Sequence, residues 1–419
     1  MAFLKALFFG LVALIFTAQA APSLPLSTSS RWILDSTGAR VKLRCVNWAG
    51  HMETHVPEGL HRNSIANITA FIASSGFNCV RLTYSIDWAL NPDEAVSDAF
   101  TNSVALAGVP EHLDNVTAIY TSAVQQNPFL ETATVRDVYG EVISNLWANG
   151  VMTILDNHVS RAQWCCNLTD GNGWWDTAFG YIAENSRYFN TSEWLEGLQA
   201  VAEWSGSQEG VIGMSLRNEI RQSGLQAFNG PYDDWYTYIS QAATLVHETN
   251  PDVLVVVGGG LSATDLSFLK NRGLDFTPWQ GKHVWEMHAY SFTVTFALDF
   301  GSCTVEKGLY GEFDGFVLSQ GENYTAPLIL SEFGVAMTGG DSTAGLSSGD
   351  YDYLSCLVGY MESNDAEWAL WAIQGSYYIR NGVIDYNETW GVYDYEWQGW
   401  RNPDFPPLLG GMWNISQGP

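Results

Sequence analysis

Basic residues are scarce: 18 Lys and Arg stand against 45 Asp and Glu in 419 residues, a formal charge of -27 at pH 7. Such a surface repels phosphate backbones and anionic lipid, which argues against nucleic acid and membrane surfaces as partners. Beyond residue 20 no stretch approaches 18 uninterrupted apolar residues, so no later segment reads as a transmembrane helix. A Ser/Thr/Pro-rich linker is missing, as are internal repeats and low-complexity tracts, and one large domain is expected over residues 21–419. C-x-x-C spacing is absent, and His51-Met52-Glu53-Thr54-His55 carries its glutamate at the wrong offset for a zinc-protease helix. Gly258-Gly259-Gly260 lacks the Lys-Ser/Thr pair of a phosphate-binding loop and reads as tight turning. Asp170-Gly171-Asn172-Gly173 reads as a multi-turn loop in preference to a calcium loop. No metal and no cofactor are expected.

What is present begins with a leader. Lys5, the apolar stretch Ala6 to Phe16 and Ala18-Gln19-Ala20 have the form of a secretory signal over residues 1–20. The end of the chain, Trp413 to Pro419, lacks the hydrophobic tail of a GPI anchor, and a soluble, secreted protein is expected. Sequons at Asn67, Asn115, Asn167, Asn190, Asn323, Asn387 and Asn414 agree with that route. Six cysteines, an even set in an exported chain, suggest disulfides. A bond between adjacent Cys165 and Cys166 would be strained, so separate partners are expected for them; Cys45 and Cys79, in candidate strands, read equally well as buried free thiols.

Eight short β-branched or aromatic runs recur: Val41 to Asn47, Asn78 to Tyr84, Val151 to His158, Val211 to Asn218, Val253 to Gly258, His283 to Tyr290, Leu328 to Phe333 and Glu367 to Ile373. The gaps between them hold helices, as in Asp233 to Glu248, where Trp235, Ile239, Ala242, Ala243 and Val246 fall at helical spacing before Asn250-Pro251. Strand alternating with helix eight times predicts an α/β fold, a closed (β/α)₈ TIM barrel. Trp32 to Leu34 and Val41 to Leu43, around the turn Asp35-Ser36-Thr37-Gly38, predict an N-terminal β-hairpin that floors it. The longest gaps, residues 85–135, 159–195 and 291–325, follow strands two, three and six. They predict long loops on the C-terminal face, where barrel enzymes keep their sites.

Polar residues gather at the carboxyl ends of those strands: Arg81, Asn157 and His158, Asn218 and Glu219, His288 and Tyr290, Glu332, then Trp371. Any one of them is explained by ordinary strand-end polarity. Together they would cost desolvation that only pairing or function offsets. Glycosidic cleavage needs two carboxyl groups flanking one bond, and strands four and seven, carrying Glu219 and Glu332, lie on opposite sides of an eight-stranded ring. Of the aromatics, Trp371 is the best platform for a sugar face, and Trp48, Trp88, Trp164, Trp174, Trp175 and Trp390 are candidates for either cleft lining or packing.

Ser215-Leu216-Arg217-Asn218-Glu219, His288-Ala289-Tyr290, Ser331-Glu332-Phe333-Gly334 and Trp371, with Arg81 and His158 upstream, resemble the motifs of glycoside hydrolase family 5, over roughly residues 30 to 400. Leu155-Asp156-Asn157-His158-Val159-Ser160 and Trp164-Cys165-Cys166 resemble a cellulase-like branch found in plants and fungi. Ile220 stands where many members have proline, and the loops after strands two and three differ from those of common endoglucanases. The resemblance implies a retaining β-glycosidase, cellulase-like, with Glu332 as nucleophile, Glu219 as acid/base and Asn218 on the sugar 2-hydroxyl. Arg81, Asn157, His158, His288, Tyr290 and Trp371 would be substrate-binding. Arg81 and Tyr290 would keep Glu332 ionised, and the histidines would either bind sugar hydroxyls or tune the acid. A monomer acting on a polysaccharide or oligosaccharide is expected. Transglycosylation on the same scaffold and a catalytically silent carbohydrate-binding barrel are the competing readings.

Overall fold

The computed structural model describes residues 21–222, 232–293 and 302–419. The expected leader, residues 1–20, and part of the loop expected after the sixth strand lie outside them. Eight parallel strands close into a barrel in chain order: β3 (Arg44–Trp48), β4 (Cys79–Ser85), β5 (Met152–Val159), β6 (Val211–Ser215), β7 (Leu254–Gly258), β8 (His283–His288), β9 (Leu328–Phe333) and β10 (Glu367–Leu370). Every expected strand is present, and the fold is a (β/α)₈ barrel. Runs such as Leu-Val-Val-Val-Gly in β7 are buried throughout, as parallel strands covered on both faces require.

Local signals start and stop the outer helices. Thr134 and Asp137 form a reciprocal cap on Val135–Ala148, and Asn190 and Ser347 accept from backbone N–H groups at the starts of Thr191–Ser205 and Ser348–Asn364. The helix Asp233–Thr249 buries Trp235, Ile239, Ala242, Ala243 and Val246, the stripe read from the sequence. Between β7 and β8 no long helix forms. A single turn, Gly260–Ala263, and 3₁₀ turns at Ser267–Lys270 and Thr277–Trp279 replace it. A Cβ at Gly259 would collide with the Asp265 carbonyl, so the glycine run serves a tight chain reversal.

The floor differs from expectation in its pairing. Strand β2 (Trp32–Leu34) pairs antiparallel with β1 (Ser27–Ser29), not with Val41–Leu43. The turn at Asp35 does form, closed by the Asp35 N–H on the Ala39 carbonyl at 2.9 Å, but beyond it only a Leu34–Arg40 bridge and the Val41 N–H on Ile33 persist. Arg40 and Lys42 are engaged instead with Glu367 and Asp365. Leu26, Ile33, Val41 and Leu43 still seal the barrel from below, against Met152, Ile154, Leu254, Val256 and Ile329. A further antiparallel pair, β11 (Ser376–Arg380) and β12 (Val383–Asn387), follows the last barrel strand.

All six cysteines are paired, which corrects two expectations. Cys45 and Cys79, opposite one another on β3 and β4, are bonded inside the barrel instead of being free thiols. Cys165 and Cys166 bond to each other, and Cys303 joins Cys356, so no separate partners remain for the adjacent pair. Among the described residues no helix is long and apolar enough to cross a membrane.

Candidate active site

In a closed sheet alternate residues point inward. Above the apolar floor the inward positions turn polar: Asn47 on β3, Arg81 and Thr83 on β4, Asp156 on β5, Ser215 on β6, Glu286 on β8 and Ser331 on β9, all 1% exposed or less. Arg81 organises this layer. Its Nη1 donates to Asn47 Oδ1 (3.0 Å) and Glu332 Oε1 (2.9 Å), and its Nη2 to Asp156 Oδ1 (2.8 Å), Asn218 Oδ1 (2.9 Å) and Glu286 Oε1 (2.7 Å).

Strand parity alone would not bring Glu332 inward, because its neighbour Ser331 already points in and donates to Glu286 Oε1 at 2.7 Å. The ladder slips by one residue on both sides of β9, setting Glu332 opposite His288 and Phe333 opposite Leu370. Such a bulge re-aims a side chain at a barrel rim. Glu219 is aimed differently. The Asn218 N–H holds the Asn157 carbonyl (2.9 Å), the Arg221 N–H holds Gly173 (2.9 Å), and between them Glu219 takes a left-handed φ of 45°. Arg221 also donates to the Glu219 carbonyl at 2.7 Å and is anchored by Asp170. The Asp170 to Gly173 loop thus wraps a guanidinium, and its place in the fold is to hold the strand end that carries Glu219.

A carboxylate oxygen of Glu219 and one of Glu332 lie within 4.8 Å of each other and of a ring nitrogen of His288. Tyr290 donates its hydroxyl to Glu332 Oε2 at 3.0 Å. A cavity of about 510 Å³ opens over the pair, lined by His158, Cys165, Cys166, Asn218, Glu219, Tyr290, Glu332 and the aromatics Trp164, Trp371, Trp390 and Phe292. Trp371 stacks on His158 with ring planes 16° apart and centroids at 5.4 Å. Behind it Gly334 admits the Trp371 carbonyl where a Cβ would collide.

Of the residues singled out from sequence, His158, Asn218, Glu219, Tyr290, Glu332 and Trp371 therefore share the cavity. Arg81, Asn157 and His288 stand behind its wall, at most 1% exposed; Asn157 Oδ1 accepts from Arg217 Nη1 at 3.2 Å. Of the other tryptophans, Trp164 and Trp390 line the cavity, while Trp48, Trp88, Trp174 and Trp175 are core. The sequence reading gave no role to Glu286, nor to Asp156, Ser215 and Ser331, which appear there only inside motifs. A charged residue at an inward position of an otherwise apolar strand, as in Val284-Trp285-Glu286-Met287-His288, is the signal that exposes them.

The electrostatics follow from too many acids around too few cations. Glu286 receives Arg81, His288 Nε2 (3.3 Å) and the hydroxyls of Ser215 and Ser331 (2.7 Å each); burial opposes its charge, but these donors hold it well below the usual carboxylate range. Burial likewise opposes charge on His288, yet Glu332, Glu219 and Glu286 lift it to about 10. As an imidazolium it donates Nδ1–H to Glu219 Oε1 at 3.0 Å and Nε2–H to Glu286. Burial, with Arg81 and His288 adding repulsion, drives His158 well below its ordinary value. Neutral, it donates Nδ1–H to Asp156 Oδ2 (2.6 Å) and turns its Nε2 lone pair to the Asn218 amide (3.3 Å). Glu332 departs from expectation: burial pushes its carboxyl up to about 7, with His288 and Arg81 pulling down and Glu219 and Asp156 pushing the same way as burial. Arg81 and Tyr290 do not by themselves settle its charge.

A barrel that sets two carboxylates across an aromatic-lined cavity at its C-terminal face has the site of a sugar-cleaving enzyme. Comparison with known proteins makes this specific. The sequence profile of the cellulase family (glycosyl hydrolase family 5) matches residues 34–376. A glycosyl hydrolase 5 family protein of Chamaecyparis obtusa is 40% identical over 403 residues, covering 94% of this chain and 67% of the relative. The major extracellular endoglucanase of Xanthomonas campestris is 23% identical over 412 residues, covering 93% and 71%. Among solved structures, an endocellulase of Pyrococcus horikoshii in complex with cellotetraose superposes with a TM-score of 0.70 at 18% identity, over 94% of this chain and all of that one. The catalytic domain of the Xanthomonas endoglucanase gives 0.68 at 20%, over 93% and 99%. The chain belongs to glycoside hydrolase family 5 and is a hydrolase of β-linked glycans.

Proposed function

We propose that the protein is a secreted, monomeric β-1,4-glucanase that cleaves with retention of configuration. The observation that carries this is the approach of Glu219 and Glu332 to within 4.8 Å at their nearest oxygens. Retaining enzymes hold their carboxyls at roughly 5 to 5.5 Å so that one attacks the anomeric carbon directly, whereas inverting enzymes leave roughly 6.5 to 9.5 Å for a water. Glu332, gripped by Arg81 and Tyr290, is the nucleophile. Glu219, held by His288, gives its proton to the departing oxygen, then takes one from the water that opens the glycosyl ester. Asn218 and His158 face the sugar, Trp371 stacks on it, and Asn157 and His288 act through Arg217 and Glu219 rather than on the substrate.

Cellulose-type chains are favoured by the relatives, one named an endoglucanase and another solved with cellotetraose. The leader-like first 20 residues, three disulfides and a relative named as extracellular favour secretion. The test is hydrolysis of a panel of β-glucans, mannans, galactans and aryl glycosides, with products sized and their first-formed anomer read by proton NMR. Short β-1,4-glucan products released as the β anomer are expected. An α anomer would refute retention, and elongated products at modest acceptor concentration would make transfer the main reaction.

A further inference from the structure

One wall of the cavity is made of sulfur. Cys165 and Cys166 are bonded to each other and both line the space over Glu219 and Glu332. The Asn218 side-chain nitrogen lies 3.4 Å from Cys166 Sγ and 3.7 Å from Cys165 Sγ, while its oxygen is held by Arg81 Nη2 at 2.9 Å. One amide hydrogen is directed at His158 Nε2, so the other faces the sulfurs and the cavity. Divalent sulfur is a weak acceptor. A bonded pair therefore gives this N–H a resting partner that a sugar hydroxyl displaces at little cost, and, having no S–H, offers no competing donor. The other two disulfides do not border the cavity. Cys45–Cys79 is sealed in the barrel with both residues at 0% exposure, and Cys303–Cys356 ties the helix Cys303–Phe313 to Ser348–Asn364.

We propose that the Cys165–Cys166 disulfide is a positioning element of the sugar site, fixing the Asn218 amide, and that its reduction reversibly lowers turnover. In that step a thiolate of a dithiol reductant attacks one sulfur and releases the other cysteine as thiolate. The second reductant thiol then closes a cyclic disulfide, and two electrons and two protons pass to Cys165 and Cys166. The separated thiols move apart and present S–H groups to Asn218, whose cavity-facing amide hydrogen loses its fixed partner while its oxygen stays on Arg81. A cavity that admits a sugar admits the reductant.

The inference rests on the reading of the site as a glucanase, and the oxidised enzyme tests that reading by itself through hydrolysis of cello-oligosaccharides. Treatment with dithiothreitol, with alkylation and mass spectrometry to locate new thiols, then tests the inference. Opening of Cys165–Cys166 is expected to lower kcat by about ten- to a hundredfold, the scale of a displaced positioning group, with KM little changed and full recovery on reoxidation. An aryl 2-deoxyglycoside, which has no 2-hydroxyl for Asn218 to hold, should lose far less. The double variant Cys165→Ala with Cys166→Ala should match the reduced enzyme and ignore reductant, while Cys303→Ala with Cys356→Ala should respond as the parent does. Unchanged kcat with both thiols alkylated, an equal loss on the 2-deoxy substrate, or a bond that stays closed in reductant that opens Cys303–Cys356 would each overturn it. Should the alanine pair not fold, chemical reduction of the parent protein carries the test unaided.

Discussion

At the floor of the barrel Arg40 pairs with Glu367 and Lys42 with Asp365, one cation to each carboxylate, and the pairs are tied to backbone by Leu43 N–H on Glu367 and by Ser416 and Gln417 N–H on Asp365. At the other end Arg81 and the His288 imidazolium face four carboxylates: Asp156, Glu286, Glu332 and Glu219. All but the partly exposed Glu219 are buried, and both sets pay desolvation. At the floor burial raises the Glu367 carboxyl, opposed by Arg40, the Leu43 N–H and Lys42, and neither pair borders the cavity over Glu219 and Glu332. The upper end stays short of positive charge, which leaves carboxyls such as Asp156 and Glu332 poised at about 7, burial being the first cause in each. Carboxyls with such shifted, coupled titrations suit the proposed cycle of proton and glycosyl transfers.

The sharpest way to break this contrast is to remove the two acids proposed to react. Glu332→Ala and Glu219→Ala should each lower turnover by several orders of magnitude while circular dichroism and thermal unfolding stay near those of the parent. Near-normal turnover in the Glu332 variant would end the assignment. Next in size comes the exchange of one cation at each end. Lys42→Met and Arg81→Met each leave buried carboxylate without its partner and should destabilise by about 3–5 kcal/mol in denaturant titrations. The difference lies in activity. Lys42→Met should keep kcat per folded molecule, because the floor lies away from the cavity, whereas Arg81→Met should lose it together with the orientation of Glu332. Equal kcat losses would show that the floor and the site are not separable.

That separation was partly legible in the chain. Strand count, helix spacing and the pairing of Glu219 with Glu332 across the ring depend on periodicity, which is local. Three features depended on distant chain and were not. The Val41–Leu43 segment looked like a strand partner, yet Arg40 and Lys42 find their carboxylates, Glu367 and Asp365, on distant chain. Cys165 and Cys166 were assigned separate partners on the grounds of strain, but no other cysteine is left for them once Cys45–Cys79 and Cys303–Cys356 have formed. The bulge that turns Glu332 inward was invisible because parity favours Ser331. The motif identified the carboxylates; packing decided their company.

A smaller effect separates the reacting centre from its rim. Phe292 is 64% exposed, stacks on Tyr290 with planes 11° apart and stands 6.0 Å from Trp390. It lines the open end of the cavity, where a sugar beyond the one proposed to stack on Trp371 would meet it. Phe292→Ala should raise KM for cellotetraose or longer chains several-fold with kcat preserved, and leave short aryl glycosides unaffected, a loss on the scale of one stacking contact of about 0.5–1.5 kcal/mol. An equal effect on short substrates would place Phe292 in the core of the site.

The last test asks whether the acid surplus of the upper end extends beyond the cluster around Arg81. Glu53, in the loop after β3, is 5% exposed and has one carboxylate oxygen without a hydrogen-bond partner. Burial raises its carboxyl to about 7, against smaller pulls from its own backbone N–H and Arg161. Because the folded value lies above the unfolded one, the protein binds the proton more tightly when folded. Its contribution is then fully present below about pH 4.5 and is lost as pH rises through about 7, a total of about 3 kcal/mol by pH 8. Glu53→Gln removes the titration and keeps the shape. In thermal unfolding the variant should match the parent at pH 5 and exceed it by a few degrees at pH 8, the gap opening between those values. The comparison cancels the opposing titrations of buried neutral histidines such as His51 and His283, which both proteins share. A gap that does not change with pH would mean that Glu53 ionises freely and takes no part in the surplus.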